Sequence, residues 1–382
     1  MNSRHSQTQR PGEPPLDTAK SHLDAQAAEL LFELDGALGL ITLNRPSAYN
    51  AINYAMRASI SEAIPKMIPN PEIYALVIQS NSDKAFSAGA DVREIVQCAR
   101  KDIGAAKAAF KAEYTLNWQL ESFIKPTVSL INGMVIGSGV GITSYGTHRV
   151  AGERYRFSMP ETAIGLFPDV GVASLLANMP DEIGIYLGLS GAKVGRADAY
   201  RLGLATHCIE SRHFEAIKND LKEAQPVDPV LDDRHVDPGP GILDPLRETI
   251  ASCFSAPAVE EIIDRLKAHE GENADWARKV AADLLTRSPT SLKVTLEHLR
   301  RARSMKLREI LQVDYRLACR FLEGHDFYEG VRAALIDKDG NPNWQPATLE
   351  EVDTSQVEAY FDPMGKGEMV LPSREKALEN QK

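Results

Sequence analysis

Between Lys125 and His148 lie 22 consecutive residues, 126–147, without a formal charge, and five of them are glycine. A run of that length would cross a bilayer as one helix. Glycine at this density opposes a continuous helix, because each one has the most backbone freedom to lose on folding. A buried strand over 127–131, a glycine turn and a buried helix satisfy both facts without a membrane. The composition agrees: 43% hydrophobic and 25% charged residues in 382 suit a globular chain with room for one large domain or two smaller ones.

Short apolar or β-branched runs at 38–43, 74–80, 127–131 and 149–151 read as buried strands. Residues 50–67 and 102–123 carry apolar positions at three- and four-residue spacing and read as helices between them. Alternating strands and helices give an α/β class, although periodicity alone does not separate a doubly wound sheet from a spiral of ββα turns. Residues 1–28 are polar, lack an apolar leader core and include acidic Glu13 and Asp17, so they read as a mobile tail rather than a targeting segment. The Pro-, Asp- and Gly-rich stretch 225–250 reads as a linker between a core at 29–224 and a helical region at 251–350. In that region 257–266, 273–285 and 291–323 are helical patterns, with Ser288-Pro289 as a break. Residues 351–382 offer little to pack beyond Tyr360, Phe361 and Met364, and partial disorder is expected there.

A net charge of −10 gives no global reason to bind nucleic acid or anionic lipid, so neither nucleic acid nor membrane is expected as a partner. Cys98, Cys208, Cys253 and Cys319 are widely spaced and unpaired in pattern, which points to a reducing, cytoplasmic setting. No metal-ligand spacing appears, and no metal is expected. Gly137, Gly139 and Gly141 fail the dinucleotide fingerprint, since Ile142 stands where its last glycine belongs. The same stretch lacks the G-K-[ST] of a P-loop and the flanking glycines of a nucleophile elbow.

What remains is a glycine-dense strand-to-helix junction, SLINGMVIGSGVGI, where main-chain N–H groups could approach a ligand. Tight helix packing would use the same glycines. A second small-residue turn, FSAGADVR at 86–93, ends on Asp91 placed as a helix N-cap. Two such turns could each supply one N–H.

These segments, with LNRPSAYNAIN at 43–53, INGMVIGSGVG at 131–141 and RFSMPETAIGLFPDVG at 156–171, resemble in order and spacing the crotonase (enoyl-CoA hydratase/isomerase) superfamily over residues 37–210. The resemblance implies a crotonase-like spiral of ββα turns with a mainly helical C-terminal region. It also implies an acyl-CoA substrate, coenzyme A being part of the substrate and no separate cofactor needed, and leaves a homo-oligomer open. The oxyanion donors would be the N–H groups of Ala90 and Ser138, with Ala88, Gly89, Asp91, Gly137 and Gly139 around the substrate. Two such dipoles in a dry cleft are worth about 3 kcal/mol each. Arg45, Lys84 and Arg93 flank the first two motifs and are the candidates for the CoA phosphates.

Hydratases of this superfamily use two glutamates, and here the first position is Gly141, leaving only Glu161. Asp169 stands eight residues on, where hydratases carry a small residue. MPETAIGLFPDVG and the distant GHDFYEGVRAALIDKDGNPNW at 324–344 resemble the 3-hydroxyisobutyryl-CoA hydrolases, and Glu113 matches a substrate-contacting glutamate of that group. AGAD, GSGVG and DVGVAS depart from its usual AGGD, GGGVG and DVGGG, which leaves backbone donors intact and bears on substrate choice. The resemblance implies hydrolysis of a short β-hydroxyacyl thioester, a step of valine catabolism, with Glu161 attacking directly or deprotonating water and Asp169 orienting water or the substrate hydroxyl. A solvated surface role for either carboxylate is the competing reading. His148 reads as a strand-edge residue and His325 as structural. The alternatives are an enoyl-CoA hydratase or isomerase and, in another class, a non-catalytic crotonase-fold scaffold.

Overall fold

The computed structural model describes residues 28–379, so the tail expected at 1–28 lies almost wholly outside the described residues. The first strands are β1 (Leu30–Asp35), β2 (Leu38–Leu43), β3 (Ala75–Ser80) and β4 (Ala85–Ser87). They are followed by β5 (Thr127–Ile131), β6 (Met134–Ile136), β7 (His148–Ala151), β8 (Arg156–Ser158) and β9 (His207–Cys208). Six of them form one sheet in the order β1-β2-β3-β5-β7-β9, and β4-β6-β8 form a second. After the antiparallel β1-β2 hairpin every pairing in both sheets is parallel. Successive pairs (β3 with β4, β5 with β6, β7 with β8) therefore add one strand to each sheet before the chain returns. This is the spiral of ββα turns that the motifs imply.

The charge-free run becomes β5, β6 and a short helix, Ser138–Thr143, rather than one span, and no helix among the described residues is long and apolar enough to cross a membrane. The large sheet is covered on both faces. Leu38, Leu40, Val77 and Val128 pack into one apolar cluster, while Ile41, Leu43, Leu76 and Ile78 from the same strands join the main core. That two-sided burial is why β2, LGLITL, is apolar almost throughout.

The helices that bear on the site are α1 (Tyr54–Met67), α2 (Val92–Lys101), α3 (Ile103–Glu121), α4 (Ser138–Thr143), α5 (Pro289–Ala302) and α6 (Leu307–Glu323). Four start on side-chain caps: Asn53 accepts from Met56 N, Asp91 from Glu94 N, Asp102 from Gly104 N and Ala105 N, and Ser288 from Ser291 N. The pattern read as one helix over 291–323 is two, because the chain breaks before α6, where the Lys306 N–H is taken by Glu309 Oε2 at 2.8 Å.

Two expectations fail. The supposed linker at 225–250 is packed: Val227, Val230 and Leu231 seal the outer face of the large sheet, and the N–H groups of Ile242 and Leu243 bind the buried Asp198 carboxylate at 3.2 and 3.0 Å. Composition missed it because three apolar residues and one distant carboxylate suffice to hold it. The supposedly loose 351–382 segment is ordered through residue 379. Asp353 and Gln356 form a capping box, Phe361 lies under the Arg301 guanidinium, and Met369 and Leu371 are buried.

Replacing Asp198 by Ala would leave two N–H groups unpaired where the strap meets the core. We expect a loss of about 1–3 kcal/mol of stability, read as a lower thermal midpoint; an unchanged midpoint would show that the strap is held by its apolar residues alone.

Candidate active site

A cavity of about 330 Å³ opens where the two small-residue turns meet. The first turn is fixed by the 43–53 loop. Asn50 is buried in a left-handed conformation, accepts the Arg45 N–H on Oδ1 at 2.7 Å and donates to Ser80 Oγ at 2.7 Å. Its neighbours then pin the turn: Ala88 N donates to Tyr49 O, Ile52 N to Gly89 O and Asp91 N to Ile52 O, each at 2.8–2.9 Å. Because Gly89 O and Asp91 N both face Ile52, the peptide N–H of Ala90 between them points the other way, toward the cavity. Among the described residues nothing accepts it.

The second turn rests on Gly137, whose φ of 48° and ψ of −121° suit only glycine. A side chain there would also stand 2.9 Å from Glu161 Oε1 and 3.6 Å from Gly89 Cα. The two turns thus touch, and the next N–H, that of Ser138 at the start of α4, likewise has no acceptor among the described residues.

Three carboxylates line the same cavity: Glu113 from α3, Glu161 from the turn after β8, and Asp169. They are 4%, 7% and 6% exposed, so each has lost most of its water. Glu113 is compensated, with Oε2 3.0 Å from the buried Arg57 guanidinium and Oε1 taken by the Ser138 hydroxyl. Asp169 Oδ2 accepts from Tyr114 Oη at 2.8 Å. Glu161 Oε2 has no hydrogen-bond partner among the described residues. Burial, and then the nearby charge of Glu113, push the Glu161 carboxyl up from 4.5 to about 8. Asp169 is pushed well above the ordinary carboxylate range, by burial first and then by Glu113, Glu161 and Asp314, with the Tyr114 hydrogen bond working against the rise.

Ala88, Gly89, Ala90, Gly137 and Ser138 all line the cavity with the carboxylates. Other expected contacts do not. Gly139 faces away, packed where a Cβ would lie 2.7 Å from Ser87 Cβ. Asp91 caps α2 and pairs with Arg45 at 2.9 Å, and Arg45 also binds Glu29 at 2.9 Å, so that arginine is already neutralised. Lys84 is exposed just before β4, and Arg93 donates to the Leu335 carbonyl at 2.8 Å rather than lining the cavity. Neither histidine weighed from the sequence reaches it: His148 sits on β7 beside Asp228, and His325 beside Asp326.

The sequence reading missed Arg57, Tyr114, and Ala334 and Leu335, which close the cavity from a π-helical turn, Arg332–Ile336. Arg57 carried no signal, being one arginine on an otherwise ordinary helix. The 324–344 segment is legible as a pattern, but its arrival over the cavity is a tertiary fact. The position where hydratases place their first glutamate is also filled: a side chain at Gly141 would begin 2.7 Å from Asn117 Nδ2 and 2.9 Å from Val170 Cβ.

The sequence matches the family described as enoyl-CoA hydratase/isomerase over residues 38–361. A Xenopus tropicalis protein named "3-hydroxyisobutyryl-CoA hydrolase, mitochondrial" is 39% identical over 353 residues, 90% of this chain and 91% of that one. Two solved structures are also similar. One is described as a carnitinyl-CoA dehydratase from Mycobacterium thermoresistibile, with TM-score 0.85 and 34% identity, covering 90% of this chain and 99% of that one. The other is described as an enoyl-CoA hydratase from Rhodobacter sphaeroides, with TM-score 0.84 and 34% identity, covering 90% and 100%.

The raised Glu161 value carries a stability consequence. A carboxyl that holds its proton more tightly when folded favours folding fully below pH 4.5 and loses that contribution as pH rises through about 8. Glutamine cannot ionise, so Glu161→Gln should melt near wild type at pH 5 and be more stable at pH 9, by the order of a few kcal/mol. Equal effects at the two pH values would mean that Glu161 is not held protonated.

Proposed function

The chain belongs to the enoyl-CoA hydratase/isomerase family, and within it we propose that it is a thioester hydrolase converting 3-hydroxyisobutyryl-CoA and water to 3-hydroxyisobutyrate and coenzyme A. The observation that carries this is the pairing of Glu161 with Asp169 in one cavity while packing against Gly141 fills the place of the first hydratase glutamate. The 39%-identical relative bears the hydrolase name. The hydratase and dehydratase descriptions of the similar structures favour a reaction that this carboxylate set does not provide for.

The thioester carbonyl oxygen would accept the Ala90 and Ser138 N–H groups. Glu161, through its unpartnered Oε2, takes a proton from water as the hydroxide oxygen bonds to the carbonyl carbon, and the negative charge moves to the oxygen facing the two donors. Collapse breaks the C–S bond, and the proton passes from Glu161 to the departing CoA sulfur. Direct attack by Glu161 differs in giving an anhydride that water then opens; incorporation of ¹⁸O into the protein during one turnover distinguishes the two. Both Glu113 oxygens are engaged, whereas Asp169 Oδ1 makes no hydrogen bond among the described residues. Asp169 is therefore the better partner for the substrate hydroxyl. We also propose a cytoplasmic location, supported by four free cysteines, three of them buried.

Glu161→Gln should lower kcat at least ~10²-fold, the low end of general-base effects, and kcat/KM of the wild type should rise with pH and level off above about 8, as the base loses its proton. A flat profile, or near-normal turnover in the variant, removes Glu161 from the chemistry. Thiol release from 3-hydroxyisobutyryl-CoA should exceed that from isobutyryl-CoA by about 10²-fold or more, because the latter leaves a buried carboxyl unpaired. Comparable rates would refute hydroxyl recognition, and rapid hydration of crotonyl-CoA would return the chain to the hydratases.

A further inference from the structure

The loop that carries Asp169 adopts a shape its own residues disfavour. Val170, which is β-branched, has φ 53°, and Gly171 follows at φ 75°. In the left-handed region a branched Cβ crowds the backbone, and such a residue persists there only where the surroundings hold it.

Here the hold falls on a single peptide group. The Val170 carbonyl accepts the Tyr145 hydroxyl, and the Gly171 N–H donates to Asp314 Oδ2 at 2.6 Å. Carbonyl and N–H belong to the same plane, so it is gripped on both edges. Asp314 is fully buried on α6, and its other oxygen lies 2.7 Å from Nε2 of the buried His298 on α5. The His298 ring meets Phe167 of the same loop edge-on at 5.8 Å. The fit allows no side chain at Gly171, where a Cβ would stand 2.5 Å from both Tyr145 Oη and Leu307 Cδ1. Neither Tyr145 nor Asp314 lines the cavity.

We propose that Tyr145 and Asp314 are positioning residues: by clamping the Val170–Gly171 peptide from both sides they force Val170 into its left-handed turn and thereby aim the Asp169 carboxyl at the cavity and at Tyr114. Released, Val170 would relax to negative φ, and the residue before it would swing off line. The clamp ties the catalytic loop to the C-terminal helices, which otherwise stand behind it.

The kinetic part of the test rests on the hydrolase reading; the exchange part does not. Tyr145→Phe deletes one hydroxyl, Asp314→Leu removes the acceptor at similar size, and Asp314→Asn keeps an oxygen for Gly171 and an amide for His298. For the first two we expect kcat and kcat/KM on 3-hydroxyisobutyryl-CoA to fall at least ~10-fold while kcat/KM on isobutyryl-CoA, which lacks the hydroxyl that Asp169 takes, changes less than ~3-fold, since what is lost is the aim of Asp169. Amide hydrogen exchange over residues 167–174 should accelerate ~10-fold or more, and Asp314→Asn should recover kcat to within ~3-fold of wild type. Unchanged exchange in Tyr145→Phe and Asp314→Leu overturns the clamp, as does faster exchange with unchanged kcat. If Asp314→Leu does not fold, Tyr145→Phe decides alone. If the wild type releases no CoA, the hydrolase reading fails and exchange alone judges the clamp.

Discussion

Three buried carboxylates line one cavity while a single buried guanidinium, behind its wall, pairs with only one of them, and much of the structure follows from that imbalance. Arg57 offsets Glu113 at 3.0 Å. It does not offset Glu161 and Asp169 as well, and a second and third buried negative charge would be costly without partners. The lower-energy solution is to keep protons on the carboxyls, and both Glu161 and Asp169 are pushed upward. A carboxyl poised near neutral pH is a stronger base, once ionised, than a surface glutamate. The same burial that destabilises the anion therefore equips it for proton transfer.

The fold serves that cavity by bringing distant segments to it. The parallel spiral stacks the turn after β4 against the turn after β6, so their two free N–H groups are main-chain features independent of any reactive side chain. The third turn delivers Glu161, and α3 delivers Glu113 and Tyr114. The last wall comes from the π-helical turn holding Ala334 and Leu335, nearly two hundred residues beyond the glycine turn. Small residues dominate the first two turns because backbones approach there, and large ones dominate the rest because a dry pocket must be closed.

Strands β2 and β5 were read from sequence at their observed bounds because both faces of the sheet are buried, which leaves continuous apolar runs. Asp91 as an N-cap was readable for a similar reason: its chemistry is local. Asp169 and Glu161 stood out only through their motif, since an isolated carboxylate after proline looks like a turn residue. Arg45 shows the limit of proximity in sequence, for it flanks the right motif yet is spent on Glu29 and Asp91. Arg57, Asp314 and His298 were invisible because each acts through a partner 16 or more positions away, a separation that no local pattern records. The 225–250 strap was misjudged because turn-forming composition reports on backbone shape and says little about whether a few apolar side chains find a surface.

The most direct test of the protonated carboxyls in the cavity is infrared difference spectroscopy of the wild type against Glu161→Gln across a pH titration, following the carbonyl stretch of protonated carboxyl groups. The account predicts a difference band, the Glu161 carboxyl, that survives to neutral pH, disappears near pH 8 and is missing from the variant, which keeps the protonated-carboxyl absorbance of Asp169. A wild type whose carboxyl bands are all gone by about pH 6, or a variant whose protonated-carboxyl absorbance at neutral pH equals that of the wild type, would contradict it.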